Sequence, residues 1–482
     1  MILLAFAVLL LPGLAVWAWV GKRDQDPLVS LAEVIGISLA VIFLIAELFF
    51  VLNASFSLLS ILIFFGIFLV LAVLGILKEG FSFPRKYHFH FFIGLFLFGL
   101  VLSWRFYQAR ELLLPNWVDS QHHYLIIHTI LEKGGLPETL SPYLDGPFYY
   151  HYGFHTVTAL FTFISKLNIG DAMLVLGQVI NAAVSLSVYA LAKALWRDWR
   201  PAAAAALLVS FVTRMPAYYL SWGRYTLLTA LILMPLAMAL AVRTLRTKSC
   251  SWRDGLLLAL LTSGVLLSHY FSAVLLAVFY ILLAIVYCVP RLKKFRKALI
   301  HLLPITLGAI FGLILAVPWL WRVGKFYPFV PTIGANLPES LSAIVDNSGN
   351  ENYIWQLLGP ASNHWLLLAA GIGLIVGIIR HKQLEFALWS AIIGVMSIPW
   401  GLTFSPFRPD HFVIISFLPV ALWAGYVFWQ GSLVLGIWLN RRWVSLVLIL
   451  FFVGGWVAWS YPLSSDIINP VTLLVTADDL AA

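Results

Sequence analysis

The chain has 482 residues, 62% of them hydrophobic and 11% charged, with a formal net charge of +9. Soluble domains carry about 25% charged residues, so the composition excludes an ordinary soluble protein. It also excludes a disulfide framework, since the chain has two cysteines, Cys250 and Cys288. A nucleic-acid binder is excluded too, because the Lys and Arg fall mainly in short loops between apolar runs.

Apolar runs of about 20 residues recur, each long enough to cross a hydrocarbon core of about 30 Å. The predicted fold class is an all-α polytopic membrane protein, with one transmembrane domain over about 1–463 and about 13–14 transmembrane helices. Residues 2–20 lack a basic n-region and a clear cleavage site, so they read as a span rather than a signal peptide. Further spans follow at about 28–51, 57–77 and 89–106. A polar stretch intervenes, and residues 152–167 are apolar but short. Spans at about 172–195, 201–216 and 224–242 come next. Residues 255–289 are too long for one span and break at Ser268-His-Tyr-Phe-Ser272, which predicts two short helices or a hairpin. The last spans lie at about 299–322, 364–380, 384–400, 411–430 and 443–461. The 20 Trp and 18 Tyr suit interfacial belts, and equally suit stacking on sugars or isoprenoid.

Basic loops at 21–23, 78–86, 193–200, 243–253, 291–297, 380–382 and 440–442 are assigned to the cytoplasm. That places 105–151, 213–223, 324–363, 401–410 and the C-terminus outside, with loop helices expected in the two long loops, 105–151 and 324–363. Both ends of 152–167 then face out. This predicts a re-entrant or half-membrane helix, tolerated only where it is shielded from lipid or lines a cavity. Residues 464–482 are not membrane-like and read as the start of an extracytoplasmic segment cut short.

The polar stretch, Asn116 to His155, concentrates the chemistry. Its 40 residues hold four carboxylates, five histidines and a Tyr cluster. Asp119 precedes an apolar-periodic run and is a candidate helix N-cap. If the helix begins there, His122 and His123 fall at i+3 and i+4, on the face of Asp119. A carboxylate with two imidazoles is a candidate base or metal site. His151 and His155 repeat the i,i+4 spacing, and Asp145 lies in the same loop. No HExxH is present and the ligand spacing is loose, which disfavours zinc. The run Tyr143, Tyr149, Tyr150, Tyr152 fits interfacial anchoring as well as ligand contact.

Arg214, Arg224, Arg408 and His411 lie at the outer ends of spans, against the positive-inside bias. Arg recognises phosphate bidentately; the plainer role is an ion pair, such as Arg408 with Asp410. His269 interrupts an apolar hairpin, and intramembrane ionisable groups are functional candidates. Glu33 and Glu47 share a face of one span. A proton path is one reading, and helix–helix hydrogen bonding is the plainer and preferred one.

Asp119 with His123 (or its neighbour His122), Gly-Leu-Pro137, Tyr-His-Tyr-Gly-Phe-His155 and Ser221-Trp-Gly-Arg-Tyr225 together resemble the GT-C class of integral-membrane glycosyltransferases, in its poorly characterised prokaryotic branch. Asp119 and His123 match a D-x-x-x-H-like segment, and Tyr152-Gly-Phe-His155 approximates a Y-P-P-G-F-H motif without its prolines. The resemblance covers most of the chain in layout. It implies a GT-C-like fold in a prokaryotic plasma membrane, with the active site outside. It implies a polyprenyl-phosphate-linked sugar donor and a glycan, lipid or protein acceptor, with Asp119 as general base. His122, His123, Asp145, His151, His155, Arg224, His269, Arg408 and His411 are the candidate substrate-binding residues. One Asp in place of a D-x-D leans toward metal independence, with a divalent ion (Mg or Mn) as the alternative cofactor. A transporter or flippase of lipid-linked glycans is the alternative function, motivated by the span count and by Glu33 and Glu47; against it, no internal repeat is evident.

Overall fold

The computed structural model describes residues 1–21, 26–80, 88–247, 251–326, 363–380, 382–398, 407–439, 442–468, 472–476 and 479. Most of the predicted outer loop 324–363 lies outside the described residues. In chain order the helices are α1 (Ile2–Val20), α2 (Pro27–Val51), α3 (Leu58–Glu79), α4 (His88–Gln108), α5 (Trp117–Lys133), α6 (Gly153–Ser165), α7 (Ile169–Trp196), α8 (Trp199–Phe211) and α9 (Tyr225–Thr247). Then come α10 (Trp252–Ser268), α11 (Tyr270–Cys288), α12 (Phe295–Phe326), α13 (Asn363–Ile379), α14 (Leu384–Met396), α15 (Pro409–Ile415), α16 (Phe417–Trp438) and α17 (Arg442–Ser464). The protein is an all-α polytopic membrane protein. Among the described residues nine candidate spans are long and apolar enough to cross a bilayer, and two of them, Tyr270–Phe326 and Pro409–Trp438, are each two helices in series. Four shorter apolar helices accompany them.

Local signals set the helix ends. Asp26 caps α2 by accepting from Leu28 N at 3.1 Å, with Pro27 at the first helical position. Ser57 and Ser60 form a reciprocal capping box at the start of α3. Gly134 closes α5 at φ +67°, a conformation open to glycine without a Cβ penalty. His269 sits in extended backbone between α10 and α11 and breaks the long apolar run where the sequence suggested. The expected span 201–216 ends earlier, at Phe211, and a 3₁₀ turn (Ala217–Trp222) follows. The expected span 411–430 is two helices, α15 and α16.

Helix α9 is the centre of the bundle: its entire apolar window is buried, and α7, α10 and α11 pack around it. Helices α10 and α12 approach closely through small residues. A Cβ on Gly308 would lie 2.6 Å from Leu258 Cβ, and one on Gly312 would lie 2.8 Å from Ala259 O. This is the small-xxx-small packing that membrane helices use when lipid gives no hydrophobic gain to association. The short α6 has 13 residues, about 20 Å of rise. It is packed by α1, α2, α5, α7 and α9, as a helix too short to cross but shielded from lipid must be.

Glu33 and Glu47 tie helices together. Glu33 pairs with Arg243 of α9, and Glu47 accepts from Trp319 N of α12 at 2.8 Å. The plainer reading of these two residues holds.

Gly312→Ala is expected to destabilise by about 1–3 kcal/mol by overpacking the α10–α12 contact. Gly371→Ala, whose Cβ would meet nothing within 4 Å, is expected to be neutral or stabilising. Thermal melting of the two purified variants checks this.

Candidate active site

The site begins where the outer loop enters α5. Asn116 is extended, 1% exposed, and donates from Nδ2 to Thr472 Oγ1 at 3.0 Å. Ser120 Oγ donates back to Asn116 O. The helix therefore starts at Trp117, earlier than an Asp119 N-cap would place it. Asp119 is the third helical residue, among the backbone N–H groups that a helix leaves without partners. Its carboxylate is half-buried and has no hydrogen-bond or ion-pair partner among the described residues. Burial pushes the Asp119 carboxyl above its ordinary range, opposed by the charges of Arg224 and His122.

One turn further, His122 is exposed while His123 is 3% exposed and points inward. His123 Nδ1 lies 2.8 Å from His155 Nε2 on α6. The Gly223 backbone also acts on the His123 ring. A neutral imidazole has one donor and one acceptor, so one of the two rings donates to the other. His155 Nδ1 is buried and has no hydrogen-bond partner among the described residues. Burial, chiefly, lowers His123 to about 4, so the ring is neutral at ordinary pH.

Gly223 ends the 3₁₀ turn at φ +60° and presses on the start of α5: a Cβ there would lie 2.4 Å from Ser120 Oγ and 3.0 Å from Asn116 O. Only glycine satisfies both the backbone angle and the contact. The next residue, Arg224, is half-buried. It makes no ion pair and no side-chain hydrogen bond among the described residues, and its Nε is buried. Its guanidinium lies 5.6 Å from the Trp222 ring centroid. Arg224 and Asp119 act on each other electrostatically without closing into an ion pair.

The segment entering α6 is held at Phe148, whose N–H donates to Glu138 O at 2.8 Å and whose carbonyl accepts from Arg322 Nε at 2.9 Å. His151 follows, 5% exposed, with neither ring nitrogen partnered. Its ring centroid is 3.7 Å from Tyr150, 5.0 Å from His269 and 5.1 Å from Tyr270. Burial holds the His151 imidazole well below its ordinary range, with neighbouring His269, His155 and His123 adding to the shift. His269 in turn senses Arg224 and His411.

The structure thus brings together Asp119, His122, His123, His151, His155, Arg224 and His269, with His411 at the margin. Two candidates stand apart. Asp145 is exposed at the tip of a turn pinched off by the Thr139–Pro147 bridge. Arg408 is exposed and pairs with Asp410 at 3.1 Å, while its N–H donates to His411 Nδ1 at 3.2 Å. The tyrosines divide: Tyr152 is fully buried and donates to Phe43 O at 3.2 Å, whereas Tyr149 and Tyr150 are exposed. Sequence reasoning missed Gly223 and Ser120 as the joint of the site. It also missed Tyr225, which stacks on Phe154 at 4.8 Å and borders His123. The polar knot Ser221-Trp-Gly-Arg-Tyr225 between two apolar runs was the available signal.

Among the described residues no three His, Cys, Asp or Glu side chains converge as a metal site. Mg and Mn favour oxygen ligands, and this imidazole-rich set with one carboxylate does not fit them, so no step is routed through a metal here.

Solved structures of similar fold include those of the Archaeoglobus fulgidus oligosaccharyltransferase. The complex with Zn and sulfate has a TM-score of 0.53 at 12% identity, covering 77% of this chain and 53% of that one. The complex with an inhibitory peptide and a dolichol-phosphate, in which the enzyme is called AglB, has 0.53 at 11%, covering 78% and 56%. The apo form has 0.51 at 10%, covering 77% and 55%. This likeness shows a GT-C-like fold, and the chain spans about half the length of those proteins. No curated protein matches the chain.

The sign of the pH dependence follows from His123. Its folded value lies below the ordinary 6.5, so its contribution to stability is complete above 6.5 and is lost as pH falls toward about 4. Melting temperature is expected to fall over that window, and less steeply in His123→Phe. Gly223→Ala is expected to destabilise by about 1–3 kcal/mol through its φ and its clash, read in the same assay.

A family model spans residues 6–409 of the 482, and the chain belongs to that family, the family of unknown function DUF6541.

Proposed function

We propose that this protein is a membrane glycosyltransferase that moves a sugar from a polyprenyl-phosphate donor to an acceptor hydroxyl on a glycan, lipid or protein, at the extracytoplasmic face of a prokaryotic plasma membrane. One observation carries the reading: Asp119 and Arg224, of opposite charge, sit together, without ion-pair or side-chain hydrogen-bond partners among the described residues, beside a buried imidazole pair. A structural pair of this kind closes on itself; a pair held open suits a ligand with both a proton to give and a negative charge to place. The dolichol-phosphate bound to the similarly folded oligosaccharyltransferase supports a lipid phosphate as that ligand.

In the reaction, the acceptor oxygen attacks the anomeric carbon as its proton passes to the Asp119 carboxylate. The bond from that carbon to the phosphate oxygen breaks, and the electron pair leaves with the phosphate, beside the Arg224 guanidinium. A raised carboxyl value brings Asp119 closer to the operating pH, where a general base is most effective. Positive charge at the leaving phosphate stabilises what develops there. The flippase reading loses its motivating residues, because Glu33 and Glu47 tie helices together.

Transfer is measured in purified membranes from a panel of radiolabelled polyprenyl-phosphate sugars. Asp119→Asn is expected to lower transfer by about 10²–10⁴-fold with unchanged melting. Wild-type rates in that variant would remove the base assignment. In wild type, rate should fall as pH drops through the raised Asp119 value, because only the carboxylate accepts a proton.

A further inference from the structure

Several of the buried side-chain polar atoms without a hydrogen-bond partner among the described residues lie at the site: Asn116 Oδ1, His151 Nδ1 and Nε2, His155 Nδ1 and Arg224 Nε. A buried polar group left unpaired costs about 1–3 kcal/mol, and native proteins pair nearly all of theirs. His151 is the extreme case, because it is 5% exposed and both nitrogens are orphaned. It is not needed there for packing: Tyr150, His269 and Tyr270 surround it as rings, and an aromatic hydrocarbon would fill the same space.

We infer that His151, with the free Nδ1 of His155 and the neighbouring His269, forms the subsite for the hydroxyl groups of the transferred sugar, and that this sugar is neutral. The inference rests on the glycosyltransferase reading above. The chemistry matches in detail. A neutral imidazole offers one N–H and one bare nitrogen, and a sugar hydroxyl both donates and accepts. Each ring nitrogen can therefore pair with one hydroxyl, the two hydroxyls lying on opposite sides of the ring. His155 Nδ1, buried and without a hydrogen-bond partner among the described residues, offers a position for a further hydroxyl. The cation beside this cluster is Arg224, which is given to the phosphate. A uronic acid would bring a carboxylate among imidazoles that have no second positive charge to offer it. Hydroxyl recognition by buried groups is also selective, since a sugar lacking the hydroxyl leaves the protein group unpaired.

The test measures affinity in nanodiscs for three probes: decaprenyl phosphate, decaprenyl-phosphate-glucose or -mannose, and decaprenyl-phosphate-glucuronate. The neutral sugar is expected to raise affinity over the bare lipid phosphate by at least about tenfold, and the glucuronate to add nothing. His151→Phe should remove the increment, keep the affinity for decaprenyl phosphate, and melt at the same temperature or higher, because two orphaned atoms are gone. His151→Gln, which retains a donor and an acceptor, should keep part of the increment. An increment that survives His151→Phe would overturn the subsite, as would glucuronate binding as tightly as the neutral sugars. A fall in melting temperature for His151→Phe with the increment intact would mark the ring as structural. If decaprenyl phosphate itself fails to bind wild type, the underlying reading falls, and this inference with it.

Discussion

The hydrogen bond between His123 and His155 is the joint on which the candidate site depends. At 2.8 Å, inside the protein, it ties α5 to α6. The Gly223 backbone, in the turn that carries Arg224, acts on the same ring. Three segments far apart in the chain thereby meet at one point. Burial is what makes this frame specific. An imidazole that must stay uncharged has only one donor and one acceptor to place, so few arrangements satisfy it. Asp119 sits half-buried one turn before His123 on the same helix, close enough to share the field of Arg224 but not consumed by it.

The cations assigned to the outer side make the same point by elimination. Arg105 is buried and donates to Gln108 and to Val209 O. Arg110 pairs with Glu111, and Arg214 lies over Tyr218 at 3.8 Å. Lys133 donates to Thr139 O, and Arg322 clasps the Glu138–Phe148 segment. Lys325 lies over Phe326, and Arg408 pairs with Asp410. Arg214, Lys325 and Arg224 each have only a ring contact among the described residues, and of these Arg224 is the one beside Asp119. Arg322 contributes indirectly, since the segment it holds leads into His151 and α6.

Much of the architecture was legible in the sequence because bilayer physics writes it there. Apolar runs mark most helices, and the short apolar stretch at 152–167 is the 13-residue α6. The break at Ser268-His-Tyr-Phe-Ser272 became the α10–α11 junction at His269. The candidate site was legible as a concentration of residue types, and the structure brings Asp119, His123, His155 and Arg224 together. Their mutual arrangement was not legible, because pairing His123 with His155 is a tertiary contact that no spacing rule encodes. Asp145 was included for its place in the loop and sits at an exposed tip, since a turn between two polar runs is free to point away. Asn116 rather than Asp119 begins α5, because its long-range bond to Thr472 is invisible to a local capping rule.

The central claim is that Asp119 and Arg224 act together on one bound donor. A double-mutant cycle on kcat/KM for sugar transfer, with Asp119→Asn, Arg224→Gln and the double variant, tests it most directly. Groups that serve one transition state are strongly non-additive, so the double variant is predicted to be little worse than the worse single one. Losses that simply multiply, or a single variant that transfers at the wild-type rate, would contradict the account.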